Sequence, residues 1–257
     1  MNTIKRAVVI GDNQIPFHDP LATDLFFKFL GDYKPDVIIL NGDVIDFYKL
    51  SHYTRSPLHK FSLMDEIHQT QQFLLQLRQL CPNAEITWIE GNHEFRLKSS
   101  LLHIPDEDLK AFLLQHGSLQ MESLFELDAL RIKYVGLPDH FAKWSDCYTE
   151  YEGFLIGHFN KVNQHAGYTA RAIGDKYGKS IIQNHTHRVG SNIKREFHGL
   201  VKSYEIGSLC SLRPSYMTFP DWCQGWGIIE THEGVSSFYQ IVLEDYKFVY
   251  NNRIYAS

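Results

Sequence analysis

Five short apolar runs in this chain end the same way, in a glycine or asparagine followed by a side chain able to bind a cation. "AVVI" runs into Gly11-Asp12, "VIIL" into Asn41-Gly42-Asp43, and "ITWIE" into Gly91-Asn92-His93-Glu94. "FLI" runs into Gly157-His158, and "SIIQ" into Asn184-His185-Thr186-His187. Runs this short and this rich in β-branched residues read as buried strands, and their alternation with helical patterns makes an α/β chain. Open α/β sheets hold ligands beyond the carboxyl ends of their strands. Five strands can therefore bring Asp, Asn and His to one crevice without any special loop path, although each piece taken alone also reads as a turn or a helix cap. The glycines suit a strand that turns sharply toward a ligand, because they lack Cβ.

Between these strands the helices are legible. "RAVVI" and "DVIIL" are separated by a helical stretch around Leu21 to Leu30. A long helix starts near Ser62, which with Asp65 has the form of a capping box, and Leu63, Ile67, Leu74, Leu77 and Cys81 recur at helical spacing until Pro82 and Asn83 stop it. A helical insertion is expected over 99–128, with Asp106 to His116 its clearest piece and Gly117 its C-cap. From Leu130 onward strands predominate, with one helix near Ala166 to Lys176. No repeat and no Pro-, Gly- or Ser-rich linker interrupts the chain, so a single domain over 1–257 with two packed sheets is expected.

Composition limits the function classes. A hydrophobic share of 44% is that of a globular protein, and a formal net charge of -5 supplies no global positive field for nucleic acid or anionic membrane. Any phosphate binding must be local. No stretch approaches the roughly 20 apolar residues of a membrane helix, and a soluble, cytoplasmic protein is expected. Cys81, Cys147, Cys210 and Cys223 lack CxxC spacing and read as reduced structural residues.

His185 and His187 ask for a more specific account. In an extended chain, residues at i and i+2 share a face with Cβ atoms roughly 7 Å apart, a separation that suits two neighbouring ions better than one. A lone His-x-His is a weak signal in a chain with 14 histidines. Its meaning depends on the other four strand ends.

Taken in order, "GDNQ", "GDVID", "GNHE", "GH" and "NHTH" resemble the five-part signature of the calcineurin-like metallophosphoesterases, from Asp12 to His187. The resemblance implies a sandwich of two mixed sheets flanked by helices. It implies that Asp12, Gln14, Asp43 and His187 hold one divalent ion. Asp43, Asn92, His158 and His185 would hold a second, with Asp43 bridging. Two departures stand out. Many members have Asp-x-His where this chain has Asp12-Asn13-Gln14, and a Gln carbonyl is a neutral oxygen donor for the same position. Asn184 stands where Gly is usual, a change expected to cost little because Asn tolerates unusual backbone angles. The mixed N and O donor set without thiolate suits Mn²⁺ first, with Fe or Zn²⁺ as alternatives.

The chemistry follows from two cations about 3.5–4 Å apart, which neutralise phosphoryl oxygens and acidify a bridging water for in-line attack. His93 is the candidate acid for the leaving group. The resemblance places Asp46 to hydrogen-bond that imidazole and raise its pKa. Asn92 and His93 are expected to open a helix whose positive end favours phosphate, with Arg96, one turn later, reaching the same oxygens.

Phe47 to Phe61 contains Lys49, Arg55, Lys60, His52 and His59 with four aromatic residues and no acid. It reads as a cap that offers positive charge and stacking surface. Arg213 and Trp222 form a second candidate rim. The function expected is a dinuclear phosphodiesterase or pyrophosphatase acting on a small, phosphorylated, nucleotide-like molecule. The alternatives are a nuclease acting on DNA, a phosphomonoesterase or protein phosphatase, and a protein-binding module that keeps the fold without catalysis.

Overall fold

The computed structural model describes residues 4–52, 60–115, 119–136, 146–213 and 220–257. Strands β1 (Lys5–Ile10), β2 (Val37–Asn41), β3 (Glu85–Ile89) and β4 (Ile132–Val135) lie parallel in that order. Antiparallel strands β10 (Gly225–His232) and β11 (Val235–Val242) extend this sheet beyond β1 to six strands. The second sheet is built from β5 (Tyr148–Tyr151), β6 (Phe154–Gly157), β7 (Ser180–Gln183), β8 (Val189–Glu196) and β9 (Gly199–Ile206). Its order is β5-β6-β7-β9-β8, parallel in the middle and antiparallel at both edges.

Side-chain alternation along the central strands explains the four layers. Val8, Ile10, Ile38, Leu40 and Trp88 point to one face and pack with Phe26, Leu30, Leu74 and Leu77 of helices α1 (Pro20–Tyr33) and α2 (Leu63–Leu80). Ala7, Val9, Val37, Ile39 and Ile89 point the other way and meet Phe154, Ile156, Ile182 and Ile206 of the second sheet. Leu155 and Ile181, on that sheet's outer face, lie with Ala170 and Ile173 of a third helix. Covering both faces of a sheet is what makes its strands continuous apolar runs instead of alternating ones. Truncating one of these central Ile or Leu residues to Ala would cost about 2–5 kcal/mol.

The expected helices are present. Ser62 Oγ accepts from Asp65 N–H at 3.1 Å and Asp65 Oδ2 accepts from Ser62 N–H at 2.7 Å, so the capping box opens α2. The 99–128 stretch contains the end of α3 (Glu94–Leu102), then α4 (Glu107–Gln115) and α5 (Met121–Leu124). Asp106 accepts from Leu109 N–H at 2.8 Å and caps α4, while the expected C-cap Gly117 lies outside the described residues. The later helix, α6, spans Tyr168–Tyr177. Among the described residues no helix is long and apolar enough to cross a membrane.

Two features were not foreseen. Edge strand β5 is short and polar, so it carries no apolar run to find. At the carboxyl end, β12 (Lys247–Tyr250) and β13 (Arg253–Ala256) form a two-stranded ribbon against α1, with Phe248 and Tyr255 stacked at 4.8 Å beside Phe29. Its turn is Asn251-Asn252, both at positive φ. An Asn pair between two short β-rich segments is a hairpin signal that could have revealed it.

Candidate metal centre

The carboxyl ends of β1, β2 and β3 meet those of β6 and β7, and the five motifs converge there. Asp12 Oδ1 lies 3.5 Å from His187 Nε2 and 3.6 Å from His158 Nε2. Asp43 Oδ2 lies 3.1 Å from His158 Nε2 and 3.5 Å from His93 Nε2. Asp43, His158 and His185 offer ligand atoms that all fall within 4.8 Å of one another. Gln14 joins through its amide, whose Nε2 donates to His187 Nε2 at 3.0 Å.

The path that brings the two imidazoles of "NHTH" together differs from the expected extended chain. His185 and His187 adopt φ of 76° and 57°, in the left-handed region. Asp12, Gln14 and Asp43 do the same, at 53°, 49° and 53°. Side chains other than glycine are held there at a cost of order 1–3 kcal/mol each, and such strain concentrates at functional sites. His185 therefore faces Asp43 and His158, while His187 faces Asp12 and Gln14, by backbone turning and not by strand alternation.

Glycine is required where the strand ends approach one another. A Cβ on Gly42, itself at φ +82°, would sit 2.6 Å from His158 Nδ1. One on Gly91 would sit 2.3 Å from Asp43 Oδ1.

Buried polar groups hold the ligands in place. His158 Nδ1 donates to Asn41 O at 2.8 Å, which directs its Nε2 at the carboxylates. His187 is tied through Nδ1 to Cys210 Sγ at 3.0 Å and packs on Trp222 with ring centroids 4.2 Å apart. Asp12 Oδ2 accepts from His185 N–H at 2.7 Å, and Asp43 Oδ1 accepts from His93 N–H at 2.8 Å. The amino end of α3 thus meets the Asp43 carboxylate.

Three residues organise the centre in ways the sequence reading missed. Glu94, fully buried, accepts from the N–H groups of Asp43, Val44 and Gly91 at 2.8, 2.8 and 2.9 Å. Glu205, equally buried, accepts from Thr186 Oγ1 at 2.8 Å and from Thr169 N–H at 2.9 Å, joining the histidine loop to the start of α6. Asn184 accepts from Asn41 Nδ2 at 2.9 Å and donates to Gly207 O at 2.8 Å. Asn184 is not among the positive-φ residues, so its side chain, and not a tolerant backbone, is what the position uses. A glycine there would leave Asn41 without this acceptor.

The remaining expected residues are placed as follows. His93 Nδ1 lies 3.3 Å from Asp46 Oδ2. Arg96 donates from NH1 to Asp46 O at 2.7 Å and Oδ1 at 2.9 Å, and from NH2 to His93 Nε2 at 2.9 Å. Its NH1 and NH2 thus each serve a protein group. Lys49 lies in a single 3-10 turn, Tyr48–Leu50, that begins the cap segment. Arg55 lies outside the described residues, and Arg213 is exposed.

Electrostatics match a cation-binding cluster. Burial pushes the Asp12 carboxyl up to about 7. Burial would likewise raise Asp43, but the His158 and His93 imidazoles hold it below the usual carboxylate range. Burial drives His185 down to about 4 and His187 down to about 3, so both rings are neutral at pH 7 with lone pairs to offer. For His158, the adjacent Asp43 and Asp12 outweigh burial and raise it to about 10. His93 is raised in the same way: burial opposes, and Asp43 and Asp46 prevail.

A direct test of whether these residues fit divalent ions is the hydrogen bonding of their oxygens. Asp12 Oδ1, Gln14 Oε1 and Asn92 Oδ1 are buried with no hydrogen-bond partner among the described residues. Buried oxygens without donors are costly unless something else coordinates them. Together with neutral imidazoles, they form an N/O donor set of the kind that Mn²⁺, Fe and Zn²⁺ accept.

The chain matches the calcineurin-like phosphoesterases over residues 5–236. It belongs to that family. By this membership it is a metal-dependent phosphoric ester hydrolase. The Gene 54 protein of Mycobacterium phage D29 is 28% identical over 235 residues, covering 88% of each chain. The Gene 54 protein of Mycobacterium phage L5 is 29% identical over 216 residues, covering 81% of each. Among solved structures, Vacuolar Protein Sorting 29 from Cryptosporidium parvum aligns with a TM-score of 0.47 at 11% identity, over 98% of this chain and 95% of that one.

Proposed function

We propose that this phosphoesterase hydrolyses a phosphodiester or pyrophosphate bond of a small, nucleotide-like substrate with a pair of divalent cations, Mn²⁺ first among them. The observation that supports this reading is the set of partnerless buried oxygens, Asp12 Oδ1, Gln14 Oε1 and Asn92 Oδ1, that follow β1 and β3, beside the imidazoles that follow β6 and β7. Asp12, Gln14, Asp43 and His187 would hold one cation, and Asp43, Asn92, His158 and His185 the other. A half-turn of the Gln14 amide would exchange its Nε2 for Oε1. When bound, such a pair offsets the charge on phosphoryl oxygens and makes water a stronger nucleophile.

The chain's own side chains do the rest. Asp43 Oδ1 is held by His93 N–H, which orients Oδ2 toward the imidazoles. His93 has its Nδ1 edge on Asp46 and its Nε2 edge 3.5 Å from Asp43 Oδ2, and is our candidate donor of a proton to the leaving oxygen. Lys49, Arg55 and Arg213 are proposed to bind the substrate's charge. A few local cations in a chain of net charge -5 suit a small anion better than a duplex.

A turnover screen tests this reading. Metal-depleted protein would be supplied with Mn²⁺, Fe²⁺ or Zn²⁺ and offered diesters, monoesters, dinucleoside polyphosphates and DNA. Turnover of diesters or pyrophosphates above monoesters, lost on chelation, is expected. Activity confined to DNA with steep salt dependence would replace the reading with a nuclease.

A further inference from the structure

Arg96 was expected to reach substrate oxygens, and its contacts point elsewhere. Its side chain is 15% exposed. NH1 is shared between Asp46 O and Oδ1, NH2 donates to His93 Nε2, and Asp46 Oδ2 faces His93 Nδ1 at 3.3 Å. The three residues therefore form one contact ring, in which the His93 Nδ1–Asp46 Oδ2 approach is the one edge that is not an aligned hydrogen bond. A guanidinium has five N–H donors in a rigid fork, and three of the hydrogen bonds it can make are already assigned within this ring. Asp46 N–H also donates to Ile15 O at 2.9 Å, which ties the ring to the segment of the first motif.

We propose that Arg96 is a positioning residue for His93: it locks the Asp46 carboxylate and the imidazole into one unit and does not bind the substrate. The proposal rests on the reading of His93 as proton donor. A guanidinium always donates, so its hydrogen bond to Nε2 sets the resting ring with Nε2 as acceptor and Nδ1–H toward Asp46. Lysine could supply one of these bonds but not the fork. For turnover the ring first takes a proton from solvent at Nε2; when the P–O bond breaks, the leaving oxygen's electron pair takes that proton and the ring returns to its neutral Nδ1–H form. NH2 must turn aside for that exchange, while NH1 keeps Asp46 in place. Arg96 itself gives up no atom or electron.

The test compares Arg96→Ala and Arg96→Lys with wild type on two diesters. Bis-p-nitrophenyl phosphate has a leaving group that departs without a proton, whereas a dinucleoside monophosphate expels an alkoxide that needs one. For Arg96→Ala, kcat on the dinucleoside monophosphate should fall about 30-fold or more. On the nitrophenyl diester kcat should stay within about 3-fold, and KM within about 3-fold on both, by the same argument. Arg96→Lys should lie between, and covers the case in which the alanine variant fails to fold. In protein loaded with diamagnetic Zn²⁺, the ¹⁵N shifts of the His93 ring should report a single Nδ1–H tautomer in wild type and a mixture in Arg96→Ala. A rise in KM with kcat kept would make Arg96 a substrate ligand and overturn the proposal. Equal loss on both diesters, or an unchanged ¹⁵N spectrum, would also overturn it. Wild-type protein inactive on both diesters would count against the functional reading, and the ¹⁵N arm would still decide the clamp.

Discussion

Glu94 holds Asp43 by the backbone: its Oε2 accepts from Asp43 N–H at 2.8 Å, and Oε1 accepts from Val44 N–H at the same distance. A buried carboxylate here supports the left-handed turn at Asp43 with fixed acceptors. Glu94→Ala should leave three backbone N–H groups and the Trp88 indole N–H without this acceptor and lower stability by about 3 kcal/mol or more. Chemical denaturation checks the stability, and calorimetric Mn²⁺ titration should show weakened binding although no proposed ligand is removed.

Asp43 contacts imidazoles on both sides of the cluster, so its removal should be felt throughout. Asp43→Asn should abolish turnover and weaken both metal-binding events in the same titration. Loss of only one event would contradict a shared role. Gln14→His, by contrast, should remain active with an altered metal preference, because imidazole can supply the missing donor.

Asn184 joins Asn41 to Gly207 across the two sheets. Asn184→Gly should therefore destabilise this chain by about 1–3 kcal/mol. The shift in denaturation midpoint checks this, and a neutral outcome would show that water replaces both bonds.

Glu66, at the start of α2, accepts from Tyr48 N–H at 2.8 Å and supports the turn that follows Asp46. Burial pushes its carboxyl from 4.5 up to about 7. Because the folded value is raised, its contribution to stability is fully present below pH 4.5 and is lost as pH rises through about 7. The wild-type minus Glu66→Gln difference in unfolding free energy should fall by on the order of 2 kcal/mol across that window. Denaturant titrations at several pH values measure it.

The fold was largely legible because both faces of its central strands are covered. That makes "AVVI" and "VIIL" continuous apolar runs that stand out against polar loops. The capping box at Ser62 was readable for a similarly local reason. Edge strand β5 buries little, and the ribbon β12–β13 buries one aromatic from each strand, Phe248 and Tyr255, so both leave a weaker trace than a continuous apolar run. The interior of the cap segment, residues 53–59 with Arg55 among them, lies outside the described residues.

The amino-acid order by itself set Asp12, Asp43, His158, His185 and His187 just past apolar strands, and parallel strands carry such residues to one edge of their sheet. It could not determine how they are held there. Glu94, Glu205, Asn184 and Arg96 act on residues distant in the chain, through hydrogen bonds whose partners exist only once the two sheets have packed. A buried carboxylate or amide looks like any surface polar residue until folding removes its water and leaves a small set of donors within reach.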